Sequence, residues 1–258
     1  MSRVIPRIIQ QISGLSFLVG VLAVWQAVST TLLPAWNPQA ALLFPPPSDI
    51  ALTGWDLIAD GELAGHLWAS LRRELVAFAF SAVAIPIGIA MAWWPGVNRQ
   101  LYALVEVLRP IPPLAWIPLS ILWFGLGDGQ NQFIIFLGMF FPLLINTAAG
   151  VRLVEHDMLE AARTLGATSW QILSKVVVPQ SCPHIITGIR IALGTGWMAL
   201  VAAELVGASS GLGFLINDAR TLLRTDIVIV GMVSIGLAGL ALDIGVRWLG
   251  DRLVFWGA

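Results

Sequence analysis

LVAFAFSAVAIPIGIAMAWW (Leu75–Trp94) carries no charge along its whole length. A helix needs about 20 mostly apolar residues to cross the hydrocarbon core of a bilayer, and this stretch meets that length. The rest of the chain has the same character, with 57% hydrophobic residues, 11% charged residues and a mean hydropathy of +0.84. A soluble domain carries about 25% charged residues. The fold class that follows is an all-α integral membrane protein. A net charge of −1 gives no basic excess that would point to nucleic acid.

The same criterion finds five more candidate spans: Ser13–Leu33, Leu101–Phe124, Gln130–Val151, Thr187–Ala208 and Ile227–Leu249. The expected architecture is therefore about six transmembrane helices. A secretory signal has an apolar core of about 7–15 residues that ends at a small-residue cleavage site. The uncharged run from Ile8 to Ser48 is longer than that, and it reads as an uncleaved first span. Lys and Arg in short loops favour the cytoplasmic side. Placing the N-terminus inside puts ten of the 14 basic residues inside: Arg3, Arg7, Arg99, Arg109, Arg152, Arg163, Lys175, Arg190, Arg247 and Arg252. Arg72, Arg73, Arg220 and Arg224 fall outside, so both termini are expected in the cytoplasm. The expected organisation is one transmembrane domain over 1–258. It has an extra N-terminal helix (1–42), an outer segment (43–74) and a core (75–258) with an inner loop at 152–186.

Three segments carry more than apolarity. In the outer segment, Pro45–Pro47 favour a rigid extended lead-in, and Ser48 or Asp49 is placed to cap a surface helix. Helix is expected to continue through His66–Glu74 into the span. RPIPPLAWIP (Arg109–Pro118) holds four prolines that lack amide donors. No ordinary helix runs undisturbed through it, and broken backbone at membrane depth needs protein or a water-filled cavity around it. The longest inner polar loop, Arg152 to Ile186, contains EAARTLGA (Glu160–Ala167). Asp157 is expected to cap a helix that stops at Gly166, and a second helix is expected over Ser169–Val177, ending at Pro179.

The fifth span places Gly188, Ala192, Gly196, Ala199, Ala203 and Gly207 at spacings of three or four. That pattern allows close helix approach. Glu204 is the main charge within a span, with no basic residue near it in that span. It is either a gate or a buried, hydrogen-bonded structural group. Chemistry is otherwise sparse. There is no GxxxxGK[ST] loop for ATP. The lone Cys182 and the separated His66, His156 and His184 offer no metal-ligand spacing. Cys182 reads as a small buried residue.

Glu160-Ala161-Ala162, three further residues, Gly166 and then Val178-Pro179 resemble the EAA loop of the membrane subunits of binding-protein-dependent ABC importers. Val178 stands where that family often has Leu. RPIPPLAWIPLSILWFGLG (Arg109–Gly127) and TGIRIALGTGWMALVAAELVGASSGLGFLI (Thr187–Ile216) are similar to blocks of its taurine, aliphatic sulfonate, nitrate and bicarbonate branch. The likeness extends from about Leu43 onward. It implies the type I (MetI-like) importer permease fold in a bacterial inner membrane.

It also implies the partners: a pair of ABC ATPase subunits inside, a second and identical permease chain, and a periplasmic or lipid-anchored solute-binding protein outside. ATP and magnesium would belong to the ATPase, with no cofactor or metal in this chain. Glu160, Ala161, Ala162, Arg163, Leu165 and Gly166 are the expected ATPase-coupling residues. Ala161, Ala162 and Leu165 would make the close contact, and Glu160 and Arg163 the polar registration. Pro112, Pro113, Trp116, Trp197 and Glu204 are candidates for the path or gate. No Arg or Lys is expected centrally in the spans, so tight anion selection is assigned to the binding protein. The rival readings need features this chain lacks. An ion-coupled transporter needs paired midplane charges or repeated halves, and a membrane enzyme needs clustered titratable groups.

Overall fold

The computed structural model describes residues 4–36 and 43–253, with side chains at 16–36 and 43–252. Arg3, the join at 37–42 and both chain ends lie outside the described residues, so the expectations for them carry no structural description here. Five described helices are long and apolar enough to cross a membrane, and a sixth span is a pair of helices bent by 85°.

The chain forms two compact units, 1–65 with 215–234, and 66–214 with 235–258. In the first, α1 (Val4–Ala27) continues through a wide π turn at Val28–Leu32 and a last turn at Leu33–Trp36. Helix α2 is Pro47–Ala59. The expected cap at Ser48 or Asp49 is corrected: Pro46 is the flanking residue and Pro47 opens the helix. Proline suits that first position because the amide it lacks would have had no helical partner anyway. Ser48 is instead held by Gln26, whose amide lies 3.1 Å from both its backbone N and its Oγ. Thr53 Oγ1 donates to Asp226 at 2.9 Å, and Gly54 packs on Val230.

The second unit holds the elements that matter for function. Helix α3 (Glu62–Ser81) enters it at His66, so His66–Glu74 is helical as expected. Pro86 cannot donate to Ala82, and a short turn separates α3 from α4 (Ala84–Trp93) there. Helix α5 (Pro95–Leu108) is followed by a 3₁₀ turn at Pro113–Trp116 and by α6 (Ile117–Phe124). Helix α7 (Asp128–Arg152) crosses next. The inner loop is α8 (His156–Thr164) and α9 (Ser169–Ile172). Helix α10 (Val178–Gly207) returns, and α11 (Leu212–Thr221) and α12 (Thr225–Leu253) complete the chain.

Helices α7 and α10 form the most extensive pair and run antiparallel. The small-residue face explains how. Gly138 lies where a Cβ would be 2.9 Å from that of Ala199, and Gly188 sits 2.8 Å from Asn146 by the same measure. A side chain at Gly196 would fall on Met139. These are close approaches of the kind small residues permit. Ile134, Ile135, Met139, Leu143, Leu144 and Leu200 are fully buried around this contact.

Two expectations about the inner loop are corrected. Glu155, with extended backbone, flanks α8, and Asp157 sits in its first turn. The second helix does not end at Pro179. It widens into a π turn over Leu173–Val177 and continues directly into α10. Proline removes the donor that a regular turn would need at that point, and a π turn absorbs such an interruption without ending the helix.

Candidate functional site

Helix α8 stands at the surface. Leu159 and Ala162 pack back against the chain's own inner cluster of Val151, Ile172, Leu173 and Val177. This corrects the expectation that Ala162 faces a partner. The stripe turned outward is Ala161 and, just past the helix, Leu165, which is 87% exposed, while Met158 Sδ accepts from Gln180 Nε2 of α10. Glu160 and Arg163 border that stripe. Arg163 Nη1 donates to Glu160 Oε1 at 2.6 Å, and His156 lies 3.6 Å from the same oxygen. Gly166 ends the helix with φ +79°, a left-handed conformation that glycine adopts without steric cost. Thr168 then caps α9 reciprocally with Gln171. The exposed Trp170 stands beside this elbow. Sequence reasoning missed the exposed Trp170.

Among the described residues, Pro113 and Trp197 border different cavities. The span interrupted at Arg109–Pro112 bends by 85°. Pro113 borders a cavity against α7 and α10, and Trp116 packs on Phe133 and the Ile134–Ala199–Ala203 cluster. Pro112, in extended backbone, starts the 3₁₀ turn. Trp197 turns toward α12, where its Nε1 donates to the Ile235 carbonyl at 3.1 Å and its ring covers Gly239. Arg109 borders the same cavity as Pro113, opposite Gly138 and Thr195 in the middle of α7 and α10. That neighbourhood follows from the bend and not from its place in the sequence.

Glu204 is almost wholly buried and fully satisfied. Its carboxylate accepts from Arg73 Nη1 at 2.8 Å, from Ser70 Oγ at 2.9 Å and from the Gly213 amide at 2.9 Å. Arg73, also buried, donates on to Asp128 at 2.7 Å and to the Ser210 carbonyl at 2.6 Å. Ser70 accepts from the Leu212 amide at 2.9 Å. His66 Nδ1 accepts from the Gly211 amide at 3.0 Å, and a side chain at Gly211 would land on the Glu204 carboxylate. The cluster ties α3, the start of α7, the end of α10 and the following turn into one knot. Both Glu204 oxygens are filled by donors of this chain. Sequence reasoning missed Ser70, Arg73, Asp128 and Gly213. The one available signal was the i, i+3 spacing that puts Ser70 and Arg73 on one face of a helix.

Cys182 is free and half-buried, and its Sγ lies 3.3 Å from the Val178 carbonyl. A multi-pass helical protein with one broken span and a helical elbow protruding between two spans has the build of a membrane permease subunit.

Residues 84–255 match the family described as binding-protein-dependent transport system inner membrane component. A Methanocaldococcus jannaschii protein named for an ABC transporter permease is 50% identical over 78% of this chain and 76% of its own. The taurine transport system permease protein of Escherichia coli is 40% identical over 91% of this chain and 86% of its own. Among solved structures, a chain of the inward-facing MetNI methionine ABC transporter superposes with a TM-score of 0.58. It is 23% identical and covers 74% of this chain and 93% of that one. The chain belongs to the family of binding-protein-dependent transport system inner membrane components, and its fold is the MetI-like importer permease fold.

Proposed function

We propose that this chain forms the translocation path of an ATP-driven importer for a small anion of the taurine or sulfonate type. In this reading, two identical copies pair in the inner membrane with both termini cytoplasmic. A solute-binding protein delivers the substrate outside, and a pair of separate ATPase chains drives the cycle from inside. The observation that carries the reading is the outward pair Ala161 and Leu165 at the end of α8, bordered by the Glu160–Arg163 pair. A short amphipathic helix with apolar anchors at such spacings docks in a groove of a partner. Closure of the ATPases on ATP displaces that helix, and the attached spans exchange inward-facing for outward-facing states. ATP drives the exchange because it binds the two states with different affinity. The substrate class is supported by the 40% identity to the taurine permease. Nitrate and bicarbonate remain the alternatives within the same branch, and a binding screen of the companion receptor separates them.

Glu160→Lys tests the coupling. It sets a second cation beside Arg163 and His156 without touching the buried cluster beneath α8. The expected result is a complex that still co-purifies with its ATPase and hydrolyses ATP but has lost uptake. Uptake at the parental rate with the ATPase docked would overturn the coupling role.

A further inference from the structure

The bend in the third span does more than interrupt a helix. It opens a cavity of about 270 Å³ bordered by Arg109, Pro113, Phe141, Pro142, Thr195 and Met198, among others. Pockets for drug-sized ligands run to roughly 300–1,000 Å³, so this one suits a solute of few heavy atoms. Among the described residues, Arg109 is the only charged one on its walls. The nearest carboxylate, Glu106 Oε2, lies 3.4 Å from Arg109 Nη2, and both side chains are well exposed. That distance exceeds a direct N–H···O contact, which is about 2.7–3.2 Å. The guanidinium fork therefore keeps donors for an incoming group.

The wall facing it has had its strongest acceptor removed. Pro142 has no N–H, so the Gly138 carbonyl loses its helical donor. A bare carbonyl there would repel an anion. Thr195 Oγ1 donates to that oxygen at 2.8 Å from the neighbouring helix and covers it. Gly138 lies near the middle of α7, so this arrangement sits at mid-depth of the span. An ionisable side chain held at that depth beside a cavity is expensive, and it marks a path.

We propose that Arg109 is the residue that recognises substrate within the path, holding a small oxyanion transiently in the cavity of the bent span. The guanidinium plane presents paired N–H donors that match the oxygens of a sulfonate, nitrate or bicarbonate. One cation, already shared with the Glu106 carboxylate 3.4 Å away, holds such a group loosely, which lets it leave inward. This inference rests on the reading of the chain as an anion importer.

The test uses the whole purified complex in proteoliposomes, with taurine, nitrate and bicarbonate as probes. Arg109→Gln is expected to lower ATP-driven uptake by about tenfold or more, the loss typical of one charge-assisted contact, while ATP hydrolysis stimulated by the binding protein stays near the parental rate. Arg109→Cys, made in a Cys182→Ala background, separates recognition from folding. A cationic methanethiosulfonate reagent is expected to restore uptake, and a sulfonated one is not. Unchanged uptake in Arg109→Gln, joint loss of uptake and hydrolysis, or rescue by both reagents or by neither would each overturn the inference. If the parental complex moves none of the three probes, the anion-importer reading fails first, and the inference falls with it.

Discussion

Glu204 shows how a buried charge is made tolerable. Four donor contacts from Ser70, Arg73 and Gly213 converge on its carboxylate. Removing one partner of a buried pair leaves the other uncompensated and costs about 3–5 kcal/mol. Glu204→Ala and Arg73→Ala are each expected to lose that much, and the double variant less than the sum, because the second removal relieves the charge stranded by the first. Thermal unfolding of the four proteins in detergent checks this, and strict additivity would contradict it. Glu74, the next residue after Arg73, is the opposite case. It is fully buried against Gly196, and neither carboxyl oxygen has a hydrogen-bond partner. An unsatisfied buried polar group costs about 1–3 kcal/mol. Glu74→Met, which keeps length and loses polarity, is expected to raise the unfolding temperature. A lowered temperature would show that Glu74 has a partner in the assembled complex.

Among the elements, α8 is the one whose two faces have different employment. Leu159, Ala162 and Met158 hold it to the protein, which leaves Ala161 and Leu165 facing away. A cysteine at Leu165 in the Cys182→Ala background is therefore expected to react with a membrane-impermeant maleimide applied from the cytoplasmic side, and to be shielded several-fold when the ATPase is bound. Labelling from the other side would reverse the assigned orientation. Much of this element was legible beforehand. The glycine stop, the amphipathic pattern and the EAA spacing all sit within a dozen residues. The cap at Glu155 and the passage through Pro179 were not, because each depends on how the flanking helices pack. A proline reads locally as a stop, and only the observed π turn shows that the helix widens around it.

At the scale of the molecule, the six apolar spans were legible because membrane thickness sets a length that any sequence displays. The small-residue face of α10 was legible for the same reason, since periodicity is local. What could not be read were pairings between distant positions. Arg73 and Glu204 are 131 residues apart, and Thr195 and Gly138 are 57 apart. The neighbourhood of Arg109 likewise followed only from the 85° bend.

The uninterrupted run from Ser169 to Gly207 has one more implication. Its 39 residues are helical throughout, and at about 1.5 Å per residue they make a strut of roughly 58 Å. One end abuts the elbow at Gly166, and the other ends three residues past the Glu204 clamp. A stiff member anchored that way transmits displacement instead of absorbing it. A nudge delivered at the elbow would arrive at the far end of the strut as strain on the Arg73 ion pairs with Glu204 and Asp128, giving the two ends of the span a common trigger.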